Sequence, residues 1–397
     1  MNYRINVWDR SAGDHRPVGE MICEIAENGR ERSAFRYGRE FLDRKDAFAL
    51  DPVSLPVKTD TFTSDHSGIF GVFEDSLPDE WGRRLLVRKH QIPRHDQNLP
   101  NLLLALGTTG LGALSFSDDS TQPLPTSSVT SILHLSTLAA AAERYERGEK
   151  DDTGLSLLMG AGSSPGGARP KIVVFDEENG VHYLAKLPSV KDHVDVVKIE
   201  AATMKLAAKA GLPVPPTRLV HCADKSILLV QRFDILPAGR RHMISFHTLL
   251  NAQGYYQFRY QDLLMIVRKY SSNPLEDSER LYRQMVFNAV VSNTDDHLKN
   301  FWMVHDHEQG WRLSPAFDLI PDVGQRGEHI LFFDLGAYYP GRKKLENLGQ
   351  RWGIRNAKIV VEQVFNAVAG WKEEFEAFGV PANDGIRFRE IDSHLQE

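Results

Sequence analysis

The sequence predicts an α+β protein in which strands dominate the first part of the chain and helices the last. Short alternating apolar runs, at residues 18–25 and 33–37, indicate a small antiparallel sheet within residues 1 to about 75. Beyond Asp234, apolar residues recur at helical spacing, in the stretches 260–269, 276–291 and 357–378. A length of 397 residues exceeds what one hydrophobic core usually serves, so we expect two or more packed units.

Composition narrows the class of protein further. Hydrophobic residues make up 42% and charged residues 25%, which is typical of soluble globular proteins. The net charge of -6 argues against a protein that holds nucleic acid by bulk electrostatics alone. The cysteines Cys23 and Cys222 form neither a disulfide framework nor a metal-ligand pattern, so we expect a reducing cytoplasm. No export signal and no membrane span are expected, because no long uninterrupted apolar run occurs.

Two features mark the end of the first part. Asp79 and Glu80 begin a helical stretch that carries a short basic run, for which a solvated helix face is favoured over a phosphate contact. Residues 117–131 are rich in Ser, Thr and Pro, which predicts a linker. We therefore expect three domains: a β-rich part at 1–125, a nucleotide-binding part at 126–235, and a mainly helical part at 236–397.

A glycine-rich segment, residues 160–171, precedes two strand-like runs at 172–175 and 182–187. Glycines let backbone amides approach phosphate oxygens closely, so this segment predicts a phosphate cradle. It is not a Walker A loop, because Lys171 follows Pro170 and begins a strand instead of opening a helix. A flexible connection is the alternative interpretation.

Lys186 is a single cation in an otherwise apolar strand, where burial is costly without an anionic partner. Glu200, on the predicted helix that follows at 195–210, is the nearest candidate in the sequence. Protein kinases present a strand lysine paired with a helix glutamate to nucleotide phosphates. The alternative is a lysine whose ammonium group reaches water at the edge of the sheet.

Residues 292–300, Ser-Asn-Thr-Asp-Asp-His-Leu-Lys-Asn, space Asp295 and Asn300 five positions apart, as a kinase catalytic loop spaces its base and a magnesium ligand. Two short strand-like runs then predict a hairpin that returns Asp318 to the vicinity of Asn300. The alternative is a polar turn after a helix, with Asp318 capping the next element. We assign no role to Asp296.

The order of these features decides between the interpretations. The features occur along the chain in the order of a bilobal protein kinase. They are a glycine-rich loop, a strand lysine, a helix glutamate, a buried strand at 228–230, helices, the Asp-Asn pair, a hairpin and a final aspartate. The full prediction is an α+β, bilobal protein-kinase-like fold with an N-terminal β-rich accessory subdomain and a helical C-terminal lobe.

The chain resembles the HipA-type serine/threonine kinases of bacterial toxin-antitoxin systems. The N-terminal part resembles the accessory subdomain of that family, at residues 35–37 and 75–85. Five blocks in the remainder of the chain carry the resemblance, at residues 164–171, 185–188, 230–234, 293–300 and 313–318.

The resemblance implies a role for each matching position, with ATP and Mg²⁺ as cofactors. It implies that Asp295 is the catalytic base, with His297 and Lys299 lining the active site, and that Asn300 and Asp318 bind magnesium. The residues implied at the nucleotide are Lys186 with its partner Glu200, the loop residues Gly166, Gly167, Ala168 and Lys171, and the adenine-hinge residues Gln231 and Phe233. Ser164 is the implied site of inactivating autophosphorylation, with Ser163 as the neighbouring candidate.

The resemblance also implies partners. These are a protein substrate, such as an aminoacyl-tRNA synthetase or another translation factor, and a helix-turn-helix antitoxin through which operator DNA is contacted. Two other functions stay open at this point. One is a non-catalytic or weakly catalytic antitoxin-binding protein that acts in transcriptional autoregulation, and the other is a kinase of small molecules.

Overall fold

The structure is a computed structural model, and it describes residues 1–26, 31–64, 68–120, 130–149, 152–160, 169–334 and 336–396. Most of the predicted linker therefore lies outside the described residues. The strands are β1 Asn2–Asp9, β2 Arg16–Ile25, β3 Glu31–Tyr37, β4 Phe62–Ser64, β5 Leu114–Ser117, β6 Thr130–Ser131, β7 Lys171–Asp176, β8 Val181–Lys186, β9 Thr217–Cys222, β10 Lys225–Gln231, β11 Ile235–Leu236, β12 Gly239–Arg240, β13 His242–Ser245, β14 Trp302–Asp306 and β15 Gly310–Leu313.

Helices are most frequent in the second half of the chain. They are α1 Arg39–Leu42, α2 Gly71–Glu74, α3 Glu80–Lys89, α4 Leu99–Leu106, α5 Leu135–Glu146, α6 Asp152–Gly160, α7 Val196–Lys209, α8 Phe246–Leu249, α9 Tyr260–Tyr270, α10 Pro274–Val291, α11 Arg342–Arg351, α12 Ala357–Val368, α13 Trp371–Ala377, α14 Ala382–Gly385 and α15 Arg389–Gln396. The mixed α/β fold is confirmed.

The chain divides into two compact units. The first unit comprises Met1–Ser189, Arg232–Asn251 and Val304–Gly310. The second unit comprises Val190–Gln231, Ala252–Met303 and Trp311–Glu397. Each unit is built from separate segments of the chain.

The first unit contains the predicted antiparallel sheet, in the strand order β4-β3-β2-β1-β5. Its strands alternate as predicted: in β3, Ser33, Phe35 and Tyr37 are buried while their neighbours are partly exposed or exposed. The Tyr37 hydroxyl donates to the Leu55 carbonyl at 2.6 Å and accepts from the Leu50 backbone at 3.0 Å. This buried tyrosine fixes the loop beyond α1 to the sheet, since its polar tip is fully satisfied.

Strands β7 and β8 form the predicted hairpin in the first unit, with β6 parallel to β7 at its other edge. The register places Lys171 opposite Lys186, at the open end of the hairpin. Two like charges in one cross-strand pair destabilise a sheet unless anions lie close to them. This end of the hairpin therefore requires negative charge.

The second unit is built on α10, which is buried along most of its length. The carboxylate of Asp277, in its first turn, accepts hydrogen bonds from Arg280, Arg312, Ser271 and the Leu313 backbone. Burial alone would raise the pKa of Asp277, but the bond from Arg312 and the other donors lower it. Asp277 thereby ties β15 to the start of α10.

The predicted helical stretch 357–378 is interrupted, which corrects the sequence prediction of one continuous amphipathic element. Helix α12 ends at Val368, and α13 begins at Trp371, after Gly370. Glycine is a poor helix former, and here it allows the chain to bend so that Trp371 is buried and donates to Asp392 at 3.0 Å. In the described part of the chain, no helix is long and apolar enough to cross a membrane.

Candidate phosphoryl-transfer site

The loop that carries Asp295 begins where α10 ends. Ser292 adopts a left-handed conformation, with φ of 58°, and terminates the helix. The Asn293 backbone donates to the Asn288 carbonyl at 2.8 Å, and the two asparagine side chains are hydrogen-bonded at 3.1 Å. The direction in which the chain leaves α10 is therefore fixed by the last turns of the helix.

Asp296, to which we assigned no role from the sequence, is the buried anchor of this loop. Its side chain has no solvent exposure. The carboxylate accepts from the Tyr260 hydroxyl at 2.7 Å and from the Ile330 backbone at 2.8 Å, and it contacts the His329 Nδ1 atom at 2.9 Å. Burial and the Asp296 charge raise the pKa of Tyr260, which keeps that hydroxyl protonated as a donor.

Asp295 lies beside this anchor but faces solvent. Its side chain is 57% exposed, and its Oδ1 atom lies 2.8 Å from the Nη1 atom of Arg326. An exposed ion pair of this kind contributes at most about 1 kcal/mol, so it opens readily. The buried Asp296 therefore holds in place a loop whose adjacent carboxylate, that of Asp295, is exposed to solvent. The sequence analysis missed Arg326, because no spacing rule connects it with Asp295.

Asn300 is tied to Asp295 through the backbone. Its amide nitrogen donates to the Asp295 carbonyl at 2.8 Å, and its own backbone donates to the His297 carbonyl at 2.8 Å. Among the described residues, no group donates to the Asn300 amide oxygen. That oxygen is thus the part of the side chain available to a cation.

His297 and Lys299, the other predicted residues of the loop, take different positions. The His297 ring lies 5.4 Å from the ring of Tyr255, and its Nδ1 atom has no hydrogen-bond partner among the described residues. The Lys299 carbonyl accepts from the Trp302 indole at 2.7 Å, which fixes the backbone at this point. Their catalytic roles stay predictions.

Two hydrogen bonds place Asp318 alongside the loop. The Ser314 backbone donates to the Trp302 carbonyl at 2.9 Å, and the Asp322 backbone donates to the Ser292 carbonyl at 2.8 Å. Residues 314–322 therefore run back along residues 292–302, with Asp318 midway between the two attachments. Asp318 has a φ of 56°, a left-handed conformation that is uncommon outside glycine and is concentrated at functional sites.

The donor set of this site suits magnesium better than a metal held wholly by protein. Within the residues that the structure describes, no group of three or more His, Cys, Asp and Glu side chains is arranged to hold a metal. Magnesium prefers oxygen ligands and is usually held by one or two protein side chains together with substrate phosphates. Asn300 and Asp318 fit that requirement.

Lys171 and Lys186 lie in the first unit, at the open end of the β7–β8 hairpin. Lys171 is buried, and its ammonium group lies 3.7 Å from the carboxylate of Asp79. Asp79 also caps α3 by accepting from the Gly82 backbone at 3.4 Å. The sequence analysis recognised the start of this helix but missed the ion pair, because 92 positions separate the two residues along the chain.

Replacing Asp79 separates its two roles. Asp79→Asn keeps a capping oxygen but removes the charge beside Lys171, whereas Asp79→Ala removes both. We expect Asp79→Ala to lower the free energy of unfolding by about 1 kcal/mol more than Asp79→Asn does, which is the contribution of a helix cap. Urea denaturation of the two variants measures this difference. Equal losses would show that the side chain does not cap α3.

The remaining predicted residues cannot all be compared with the structure. Glu200 is buried on α7, and its pairing with Lys186 stays a prediction. At the predicted hinge, the Gln231 backbone donates to the Pro216 carbonyl at 2.9 Å, and the Phe233 carbonyl accepts from the Arg241 side chain at 2.9 Å. The glycine-rich loop positions Ser163, Ser164, Gly166, Gly167 and Ala168 lie outside the described residues.

Comparison with known protein families identifies the chain. Residues 163–371 match the family described as the HipA-like C-terminal domain, and residues 15–117 match the HipA N-terminal domain. The chain belongs to the HipA family. The first match alone covers more than half of the sequence and includes the loop of Asp295 and the hairpin that leads to Asp318.

Relatives of this HipA-family protein are named as kinases. It is 26% identical over 325 residues to a Sinorhizobium fredii protein named "Putative kinase Y4mE", which covers 77% of this chain and 76% of the relative. A Haemophilus influenzae protein named "Putative kinase" is 23% identical over 181 residues, 40% of this chain and 52% of the relative. These names and the family membership support kinase activity in general terms.

A solved structure has the same fold. It is the HipA chain of a complex of Shewanella oneidensis HipA, HipB and operator DNA, matched with a TM-score of 0.69 at 16% identity. The alignment covers 98% of this chain and 95% of the other. At this level of identity, the similarity establishes the fold of the chain.

Proposed function

We propose that this protein is an ATP-dependent serine/threonine protein kinase. The observation that carries the proposal is the arrangement of one accessible carboxylate, Asp295, on the same loop as Asn300, with Asp318 held alongside by the returning chain. A base for a hydroxyl proton and two oxygen ligands for magnesium are the side chains that phosphoryl transfer requires.

In the proposed reaction, Asp295 accepts the proton of the substrate hydroxyl as that oxygen attacks the terminal phosphorus atom of ATP. The bond from phosphorus to the bridging oxygen breaks, and ADP leaves. Magnesium, when bound by Asn300 and Asp318, supplies the positive charge that offsets the charge on the phosphate oxygens. Lys299 is proposed to stabilise the transferring group, and His297 to line the site beside it.

Nucleotide binding is assigned to the residues that match the family's motifs. We propose that Lys186, with Glu200 as its partner, and Lys171 contact the nucleotide phosphates, as a strand lysine and a helix glutamate do in protein kinases. The Gln231 N–H and the Phe233 carbonyl already bond within the protein, so we assign an adenine hydrogen bond to the Gln231 carbonyl. The loop with Gly166, Gly167 and Ala168 is proposed to cover the phosphates.

Regulation and partners are proposed from the family. Autophosphorylation at Ser164, or at Ser163, would add nearly two negative charges to the phosphate-binding loop and repel nucleotide. We propose a HipB-like helix-turn-helix antitoxin as partner, since the matched solved HipA was determined with HipB and operator DNA. We place the protein in the cytoplasm, where its protein substrate, such as a translation factor, and ATP are found.

A second candidate function rests on the ion pair between Arg326 and Asp295. A guanidinium group 2.8 Å from the proposed base competes with a substrate hydroxyl for the same oxygen. A protein in which this pair stays closed would bind an antitoxin and act in transcriptional autoregulation without transferring phosphate. The exposure of both side chains favours the kinase, because an exposed pair opens readily.

Incubation of the purified protein with Mg²⁺ and ATP labelled in its terminal phosphate distinguishes the two candidates. We expect ADP formation, and an intact mass raised by one phosphate that maps to Ser164 or Ser163. Removal of Mg²⁺ by a chelator should stop both. Binding of ATP with no ADP and no added phosphate, in the presence of acceptor proteins from a cell extract, would support the non-catalytic candidate instead.

A further inference from the structure

Arg10 is a buried cation, two of whose nitrogen atoms make no hydrogen bond within the described part of the chain. It follows β1 directly, and it is only 8% exposed. Its Nε and Nη2 atoms are buried and make no hydrogen bond to any described residue. A buried guanidinium group without an acceptor is costly, because its hydration is lost and nothing replaces it. An anion that accepted hydrogen bonds from these two atoms would remove that cost.

Two further arginines surround Arg10. Burial and the charges of Arg240 and Arg232 lower the pKa of Arg10 to about 9, although Asp234 and Asp9 raise it. Burial and the nearby Arg232 likewise lower the pKa of Arg240 to about 10. Hydrogen bonds also bring the three residues together, since the Arg232 and Arg240 side chains both donate to the Gly110 carbonyl, at 3.4 and 3.0 Å, and the Arg240 backbone donates to the Arg10 carbonyl at 3.1 Å.

The nearby carboxylates are already saturated by other donors. Asp234 accepts from the Arg232 side chain at both of its oxygens and from the Gly112 backbone at 3.0 Å. Burial alone would raise the pKa of Asp234, yet the charge and hydrogen bond of Arg232, with the charge of Arg240, lower it to about 2.

Asp9 is committed to other groups in the same way. It accepts from Ser11 at 2.8 Å and from Arg44 at 2.9 Å. Asp234 and Asp9 thus take their hydrogen bonds from groups other than Arg10.

The third arginine is held by backbone oxygens. The Arg240 side chain donates to the Gly110 carbonyl at 3.0 Å and to the Gly112 carbonyl at 3.5 Å, which satisfies hydrogen bonds but adds no negative charge. Gly112 has a φ of +73°, and a Cβ atom there would lie 3.2 Å from the Met243 backbone, so any other residue would be strained. Three cations thus share the charge of Asp234, an excess of about two.

We propose that Arg10, Arg232 and Arg240 bind a small tetrahedral oxyanion of the phosphate type, with Arg10 as the principal ligand. An oxyanion of this shape accepts two parallel hydrogen bonds from a guanidinium group and offers further oxygens to the others. Its one to two negative charges match the excess of the cluster, which a singly charged carboxylate does not. Chloride matches neither the geometry nor the charge.

The site connects to the segment between Gln231 and Phe233. The Arg232 backbone donates to the His182 carbonyl at 3.0 Å, and His182 lies on β8, the strand that ends at Lys186. An oxyanion that neutralises Arg232 would therefore stabilise the position of Arg232, and with it the hydrogen bond between its backbone and β8. Arg232 and Asp234 belong to the motif at residues 230–234, and the adenine contact proposed for that motif involves neither of their charged side chains.

Thermal unfolding of the full chain with inorganic phosphate tests the proposal, at constant ionic strength maintained with sodium chloride. We expect the melting temperature of the wild type to rise by about 2 °C at ten times the dissociation constant, and the response to saturate. Arg10→Met should abolish the response, and Arg10→Lys should weaken phosphate binding by about tenfold, because a lysine cannot make the paired hydrogen bonds.

Two controls locate the binding site. Arg4→Met, on the exposed face of β1, removes an arginine paired with Glu20 and should leave the phosphate response unchanged. Arg351→Met, in the second unit, removes an exposed arginine paired with Asp334 and should also leave it unchanged. The proposal is overturned if the wild type shows no saturable response, if Arg10→Met and Arg10→Lys keep it in full, or if Arg4→Met or Arg351→Met removes it.

Discussion

We expect the replacement of Asp295 with Asn to lower the rate of phosphoryl transfer by about 10²- to 10⁴-fold, the usual contribution of a general base. The asparagine amide cannot accept a proton, although it is nearly isosteric with the carboxylate. Stability should not change measurably, because Asp295 is exposed and the lost ion pair with Arg326 contributes at most about 1 kcal/mol. Initial rates with labelled ATP measure the loss.

The chain offers a matched control for this variant. Asp334 forms an exposed ion pair with Arg351 at the same distance of 2.8 Å, in the second unit. Asp334→Asn should transfer phosphate at the wild-type rate, and both variants should retain the thermal stabilisation that ATP gives the wild type. Unchanged transfer by Asp295→Asn would remove Asp295 from the role of base.

Replacing the adjacent Asp296 with Asn should instead affect stability. We expect it to lower the free energy of unfolding by about 2–4 kcal/mol. The carboxylate accepts from the Tyr260 hydroxyl and from the Ile330 and Leu331 backbones in a buried site. An asparagine amide would turn a nitrogen toward at least one of these donors. Urea denaturation measures the change.

The variant Tyr260→Phe measures how much of this loss comes from the Tyr260 hydroxyl. That hydroxyl donates to Asp296 and accepts from Asn288 at 3.0 Å. We expect the variant to cost about 1 kcal/mol, the contribution of one hydrogen bond, and less than Asp296→Asn. Asp334→Asn again serves as the control and should be neutral. An Asp296→Asn variant as stable as the wild type would contradict the role of Asp296 as the anchor of the loop.

Local patterns predicted several of the longer elements of each unit. Three kinds of pattern were sufficient to predict an element, because each depends only on residues that are neighbours in sequence. They are the alternation in β2 and β3, the helical spacing in α7 and the helix signals around α10. The prediction of a continuous helix at 357–378 was wrong, because the helical spacing of apolar residues on both sides of Gly370 was given more weight than the glycine itself. The tertiary burial of Trp371 decided the break.

The sequence indicated the residues of the candidate site that lie close together along the chain. It did not indicate the residues that only the fold brings to them. The spacing of Asp295, Asn300 and Asp318 is a property of one continuous segment, so the sequence revealed it. The partners Arg326 and Asp79 are brought in by the fold, and nothing in their own neighbourhoods distinguishes them. The buried position of Asp296 could not be predicted from its neighbours in sequence either, since it depends on residues more than 30 positions away in both directions.

The most direct test of the proposed chemistry is a crystal structure of the protein with Mn²⁺ in place of Mg²⁺ and a non-hydrolysable ATP analogue. Anomalous scattering locates the ion without reference to any assumption about its ligands. We predict a manganese peak bound by the Asn300 amide oxygen and the Asp318 carboxylate, with the Asp295 carboxylate facing the terminal phosphate. An ion bound to the nucleotide but to neither Asn300 nor Asp318 would contradict the account.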